Sequence, residues 1–416
     1  RSAGGFGEGA GGRAGRSGAG RQRAGRGAGG GAGTRAGGGR RRGCGEGSAD
    51  LYAQQVGIQL GQLLGVPTLN AVSRITPAGD KLIVERALED ELEVLERTLV
   101  NLATHPNLSA VIFVSLGCEP TDVNKVAAKA ATAGQIVESL TIQKDGGTVS
   151  TVAKGTQLAR EMVARSASAV REPCPLSTLV FGAECGGSDS TSGLAANPAI
   201  GSAFDLLLNA GGSGIFSETQ EFIGAEHLLA ARAATPEVGS RILRMVAECE
   251  QKFLDKGVDM RGANPARGNI EGGLTTIEEK SLGAIAKGGT HPIDGVVEYG
   301  ERPERRGLFI VNGMGMDTEN LTCLAAAGAN VLFFSTGRGT PVGFSFVPVI
   351  KVTGNRMTYE RMRDNIDVFV DLATSGTLEA SGRLLFDEAT AVASGRRTSA
   401  EMLHQNTYNG ICVTGP

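Results

Sequence analysis

Five short stretches of the sequence gather side chains able to do chemistry. In SLGCEP (residues 115–120) a thiol, Cys118, stands beside a carboxylate, Glu119. A soft sulfur next to a hard oxygen suits iron(II) or zinc, although a buried cysteine next to an exposed glutamate is an equally simple reading. In FGAECGGSDSTSGLAANPAIG (181–201), Glu184, Cys185, Ser188 and Asp189 crowd a glycine-rich loop. Gly186 and Gly187 let backbone amides approach a carboxylate or phosphate closely; the plainer reading is a tight turn with Ser188 or Asp189 as helix cap.

FSETQEFIGAEHLLAARA (216–233) reads as a helix opened by Ser217, with Gln220 completing a capping box and Glu218 and Glu221 one turn apart on one face. Near the positive end of the helix dipole both carboxylates stay ionised, whether for a metal or only to offset that dipole. His227 falls off that face and reads as structural. In ANPARGNIEGGLTTIEEKSLGAIAKGG (263–289), Asn264 and Asn269 sit in a polar loop before a helix capped by Thr275 with Glu278, and Lys280 and Lys287 share one side of it. A lysine there acts as a base if burial lowers its pKa, holds a carboxylate, or merely faces water. VLFFSTGRGTP (331–341) sets Arg338 between two glycines, where its planar fork can grip a carboxylate while Thr336 and Thr340 meet hydroxyls, or where the loop simply turns. No GxxxxGK[ST] loop occurs, and the glycine spacing misses GxGxxG, which excludes the common nucleotide loops.

The elements that must position these residues alternate between helix and strand. Leu88, Leu92, Leu95, Leu99 and Leu102 mark a long amphipathic helix that Pro106 and Asn107 end. AVIFVSLG is a strand-length apolar run, and a helix, a strand near Ile136 and a second helix complete an α/β unit to about residue 170. Beyond Pro173 and Pro175 the layout repeats in TLVFGAECGG, followed by strand candidates GLFIVNG, NVLFFST and VPVIKVTG and helices around 217–233, 236–256, 276–287 and 358–373. The fold class predicted is α/β: two mainly parallel domains, 51–172 and 173–416, with helices on both sheet faces, preceded by a disordered tail over 1–50. Ligands gather at the C-terminal strand ends of such sheets, where the informative loops lie.

The net charge of −3 is split between a basic Gly/Ala/Arg-rich tail and an acidic body. The tail, with ten arginines against Glu8 and Glu46, cannot bury enough apolar area to order itself. Its arginines leave organelle targeting and RNA contact as alternatives to a neutral extension. The acidic body, with 4% aromatic residues and no Trp, excludes a general polyanion binder. Seven scattered cysteines in so long a chain indicate reduced thiols. No run is apolar enough to cross a membrane, so the expectation is a cytoplasmic protein with no nucleic-acid or membrane partner.

In their order, SLGCEP, FGAECGGSDSTSGLAANPAIG, SETQEFIGAEH, NPARGNIEGGLTTIEEKSLG, STGRGTP and PVIKVTGN closely resemble the altronate/galactarate dehydratase family over residues 55–405. The resemblance implies a hydro-lyase that turns a hexonate or hexarate into a 2-keto-3-deoxy acid using iron(II), with manganese(II) as substitute, and a homo-oligomer. Similar motifs occur in the large subunit of sulfolactate sulfo-lyase. Family dehydratases carry a small N-terminal SAF-type domain that residues 1–50 cannot form, which implies a separate small subunit or an incomplete gene product. A second departure is DNIDVFVDLAT at 364–374.

Removing a proton beside a carboxylate and expelling hydroxide both demand strong positive charge. The expected arrangement brings Cys118 and Cys185 together at an interdomain cleft, with Glu119 or Glu218, around the metal. Arg338 and the amides of Gly186, Gly187 and Ser188 would bind the substrate carboxylate. Asn197, Asn264, Asn269, Thr336 and Thr340 would line the pocket. Lys280 would be the base, with Glu218, Glu221 and Asp189 as further catalytic groups.

Overall fold

The apolar runs read as strands do form strands. The computed structural model describes residues 72–78, 81–371, 377–405 and 411. The Arg-rich stretch, the start at Leu51, Cys44, Cys412 and the end of the 364–374 segment lie outside the described residues.

An antiparallel hairpin, β1 (Val72–Ala78) and β2 (Lys81–Arg86), comes first and was not anticipated. It leads directly into α1 (Ala87–Ala103), the leucine-marked helix, which stops ahead of Pro106. Next come β3 (Ala110–Ser115), α2 (Val123–Thr132), β4 (Ile136–Thr141) and α3 (Thr148–Ser166). β3 and β4 pair in parallel as a separate two-stranded sheet.

The larger sheet comprises β5 (Val180–Gly186), β6 (Ser213–Phe216), β7 (Gly295–Val297), β8 (Leu308–Val311), β9 (Val331–Thr336), β10 (Val349–Thr353) and β11 (Val368–Phe369). Its order is β11-β10-β9-β5-β6-β8-β7, with every pairing parallel. The longer helices around it are α4 (Asn197–Asn209), α5 (Pro236–Asp255), α6 (Ile277–Ile285), α7 (Asp317–Ala326) and α8 (Leu378–Ala393). Parallel sheets with helices around them are the fold class expected.

Two helix expectations need correction. Residues 358–373 hold only a short helix, Arg356–Arg361, before β11. Val368 and Val370 are buried in the core there, and two β-branched side chains suit a strand beside β10 better than a helix. The helix predicted over 217–233 is broken as well, for reasons that belong to the site.

The core explains why the sheet is firm under the site. Phe181 of β5 meets Phe333 of β9 edge-to-face at 5.3 Å, with Phe204 of α4 and Phe386 of α8 against it. Each such aromatic pair adds about 0.5–1.5 kcal/mol beyond its burial. From β5 the chain runs through β6 and β8 on one side, then returns to β9 on the other, so the order reverses at β5. The loop after β5 therefore opens at a topological switch point, the usual crevice for ligands in open α/β sheets.

Candidate active site

β5 ends in Cys185 and Gly186 at that switch point, and the neighbouring β6 ends in Phe216. Ser217 and Glu218 follow, but no helix starts there. Glu218 takes a left-handed conformation (φ 80°, ψ 58°), and only a short 3₁₀ turn, Thr219–Phe222, follows before the helix Glu226–Ala231. The predicted capping box fails because the partners are used otherwise: the Gln220 amide oxygen accepts from Gly315 N at 3.0 Å. A left-handed glutamate costs on the order of 1–3 kcal/mol, and such strain persists only where surrounding structure imposes it. Here its result is geometric, since Glu218 and Glu221 turn inward onto Cys185 instead of lying on a solvated helix face.

Cys185, Glu218 and Glu221 form a buried group whose donor atoms all lie within 4.8 Å of one another. The Cys185 sulfur is 3.5 Å from both Glu218 oxygens and 3.3 Å from Glu221 Oε2, while its backbone N–H donates to Glu218 at 3.1 Å. Two lysines complete the cluster. Lys287 donates to Cys185 Sγ at 3.2 Å and forms an ion pair with Glu218, both side chains fully buried. Lys280 pairs with Glu221 at 2.8 Å and donates to Asn264 Oδ1 at 3.0 Å.

Close backbone approach makes this placement feasible. A Cβ on Gly201 of α4 would lie 2.2 Å from the Ala286 carbonyl oxygen, and one on Gly288 would meet the Phe216 ring at 2.8 Å. The turn that carries Lys287 is thus pressed between α4 and β6. α6 starts one residue later than expected: Thr276 is the cap, accepting from Glu279 N, and Lys287 lies beyond the helix in the 3₁₀ turn Ala286–Gly288.

Burial and mutual fields set the protonation. Burial drives the Cys185 thiol well above its ordinary range, reinforced by the Glu218 charge. Burial also raises Glu218 to about 7, the field of Lys287 opposing and that of Glu221 assisting. For Glu221, burial pushes upward, but Lys280 and Lys287 outweigh it and hold the carboxyl below its usual value. In Lys287, burial pulls the ammonium down; Cys185, Glu218 and Glu221 more than compensate, so it stays charged. Lys280 likewise remains an ammonium, burial being outweighed by Glu221.

The remaining predicted residues separate into two sets. Among the described residues, Cys118 and Glu119 do not join the cluster. Cys118 is exposed, and Glu119 folds back to accept from Gly117 N and Cys118 N at 2.6 and 2.9 Å. The two-thiol site is therefore not assembled, because the turn after β3 consumes its own carboxylate. Asp189 is a turn residue: Oδ1 accepts from Thr191 and Ser192, and Oδ2 from Asn355 at 2.8 Å. Asn197 donates to Gly283 O and accepts from Ser335, while Asn269 donates to Ser188 O. Thr336 and Thr340 oxygens accept from Gly339 N and Val342 N within the loop. Arg338, beside Gly187, donates to Gly268 O and pairs with Glu271 at 3.2 Å, half exposed. His227 is exposed and stands outside the cluster. A cavity of about 470 Å³ elsewhere, lined by Ser109, Ala110, Ile112, Met162 and Val163 among others, has no titratable group and offers no chemistry.

Lys287 is the residue that the sequence reading left without a role. Its signal was the pair of glycines that follow it.

Residues 176–413 match the family model described as D-galactarate/Altronate dehydratase, C-terminal, and residues 43–167 match D-galactarate dehydratase/Altronate hydrolase, second domain. The chain is 39% identical to (2R)-sulfolactate sulfo-lyase subunit beta of Chromohalobacter salexigens, over 76% of this chain and 82% of that one. It is 39% identical to galactarate dehydratase (L-threo-forming) of Escherichia coli, over 72% of this chain and 59% of that protein. Against altronate dehydratase of Bacillus subtilis the figure is 36%, over 67% of this chain and 56% of the other. The chain thus spans most of the sulfo-lyase subunit but under two thirds of these two dehydratases. With the strand-end motifs and both models in register along it, the chain belongs to the D-galactarate/altronate dehydratase family.

Proposed function

We propose that the chain is the catalytic portion of a hydro-lyase that dehydrates an aldonate or aldarate to a 2-keto-3-deoxy acid. The observation that carries this reading is Glu218, a fully buried carboxylate in a left-handed conformation with a pKa near 7, held against a thiol and a lysine. A group of that pKa takes and returns a proton at neutral pH, as elimination beside a carboxylate requires.

Lys280 and Lys287 are fixed positive charges facing the developing enediolate, where a water-poor site makes them count most. In this reading Glu218, not Lys280, accepts the proton from carbon 2, since Lys280 is itself held protonated by Glu221. Arg338 and the loop amides after Cys185 receive the substrate carboxylate. The buried sulfur and carboxylate donors fit a divalent ion of the iron(II) or manganese(II) type, which Cys185 and Glu221 would hold, leaving Glu218 to carry the proton, and which would supply Lewis-acid stabilisation of negative charge.

The test is an anaerobic panel of aldonic and aldaric acids with iron(II), reading keto-deoxy product and bound metal. Glu218→Gln should lower kcat by about 10²-fold or more on the responsive substrate. Unchanged turnover in that variant would overturn the assignment.

A second reading, a carbon–sulfur lyase acting with a separate small subunit, is favoured by the 82% coverage of the sulfo-lyase subunit beta. Sulfite released from sulfolactate, with no keto-deoxy product from the sugar acids, would select it.

A further inference from the structure

Away from the cluster, one buried charge takes no part in the proposed chemistry. Lys351 stands on β10, fully buried. Burial lowers its pKa only to about 8, so it is still an ammonium at neutral pH. Lys280 and Lys287 each meet a carboxylate, whereas the Lys351 ammonium donates to two neutral oxygens, Gln405 Oε1 at 3.0 Å and the Val342 carbonyl at 3.3 Å. Asp367, whose field reaches Lys351, is engaged with backbone: Oδ2 accepts from Lys351 N at 2.7 Å and Oδ1 from Ser399 N at 2.6 Å.

The two oxygens belong to segments far apart in the chain. Val342 closes the loop after β9 that carries Arg338 and Thr340, and Gln405 ends the C-terminal turn that Thr398 caps over Ser399–Met402. The segments press together without room to spare, since a Cβ on Gly343 would run into the Gln405 carbonyl oxygen and lie 2.9 Å from the Ala400 Cβ. At its start the same loop is held by Thr358, whose hydroxyl donates to Gly337 O at 2.5 Å. An ammonium taken out of water needs acceptors in place of that water, and hydrogen bonds from a charged donor are roughly twice as strong as neutral ones. Neither segment can leave Lys351 without stranding a buried charge.

We infer that Lys351 is a positioning residue for substrate recognition: its ammonium pins the Arg338 loop to the C-terminal turn and so fixes where Arg338 meets the substrate carboxylate. This role rests on Arg338 being the carboxylate anchor proposed above. Lys351 acts through Arg338, so it bears on binding and not on proton transfer.

Lys351→Met, Gln405→Ala and Arg338→Met in the full chain test it. Hydrogen exchange needs no substrate: in Lys351→Met the amides of 338–342 and 403–405 should lose protection together, while those of β5 and α4 keep theirs. On the sugar acid that responds, Lys351→Met should raise KM about tenfold with kcat within about twofold, the pattern of binding lost equally from ground and transition states. A generally loosened protein would lower kcat as well. Gln405→Ala removes one acceptor without disturbing the sheet; it should move both readings in the same direction, and it carries the test should Lys351→Met not fold. Unchanged exchange at 338–342 in the variant used would overturn the inference, as would a fall in kcat at constant KM, or a loosened loop with unchanged KM where Arg338→Met raises it. KM unmoved in Arg338→Met would instead remove the anchor, and the exchange result would still decide whether Lys351 pins the loop.

Discussion

Two cysteines that look alike in the sequence, each following a glycine-bearing strand end, have opposite fates. Cys185 is 3% exposed and lies among Glu218, Glu221 and Lys287, whereas Cys118 faces solvent. Cys118→Ser should therefore keep turnover within about twofold, the usual outcome of a surface change, while Cys185→Ser should lose about 10² or more. Kinetics on the substrate that responds in the acid panel would check both, and a Cys118 variant as damaged as the Cys185 one would sink the distinction. The sequence made Cys185, Glu218, Glu221 and Lys280 legible by type. It hid their partners, because the fold of Glu218 into a left-handed turn depends on tertiary contacts that overrule a good capping pattern. Lys351 was equally hidden: on β10 it is fully buried, and burial lowers its pKa to about 8.

At the level of elements, periodicity and apolar runs were enough to find α1, α5, β5, β8, β9 and β10. β6, β7 and β11 escaped: they have four residues or fewer and lack the continuous apolar run, LFIV, that revealed the equally short β8. The positions of α4 and the Lys287 turn rest on contacts without side chains. Gly201→Ala would drive a methyl against the Ala286 carbonyl oxygen, which lies 2.2 Å from the new atom. We expect a loss of about 1–3 kcal/mol in denaturant unfolding, together with reduced turnover as Lys287 shifts. A variant of unchanged stability would show that the turn is freer than its packing implies.

Across the whole molecule, one buried histidine links stability to pH. His105, just past α1, has Nε2 3.0 Å from the Ala329 oxygen and accepts from Asn107 N at Nδ1. Burial, with a smaller contribution from Arg302, lowers its pKa to about 4 from 6.5. Between those values the unfolded chain binds the proton that the folded one refuses. The stabilisation is complete above pH 6.5 and lost as pH falls through 4, on the order of 3 kcal/mol in all. His105→Gln should flatten that part of the stability profile, measured by denaturant titration from neutral pH downward; an unaltered slope would remove His105 as its source. The α/β class was legible at this scale. The β1–β2 hairpin was not, since a pattern found by scanning for helices and parallel strands does not announce an antiparallel pair.

α1 carries a further consequence. Arg97 and Asn101 hold the carbonyls of Tyr299 and Gly300 at 2.8 and 2.7 Å, and Arg302 reaches back to Asn101 O. The chain between residues 167 and 176 is meanwhile exposed throughout and interrupted by prolines. A protease nick in that stretch should thus release nothing: the two fragments would co-elute on gel filtration as a clasped pair and part only in denaturant.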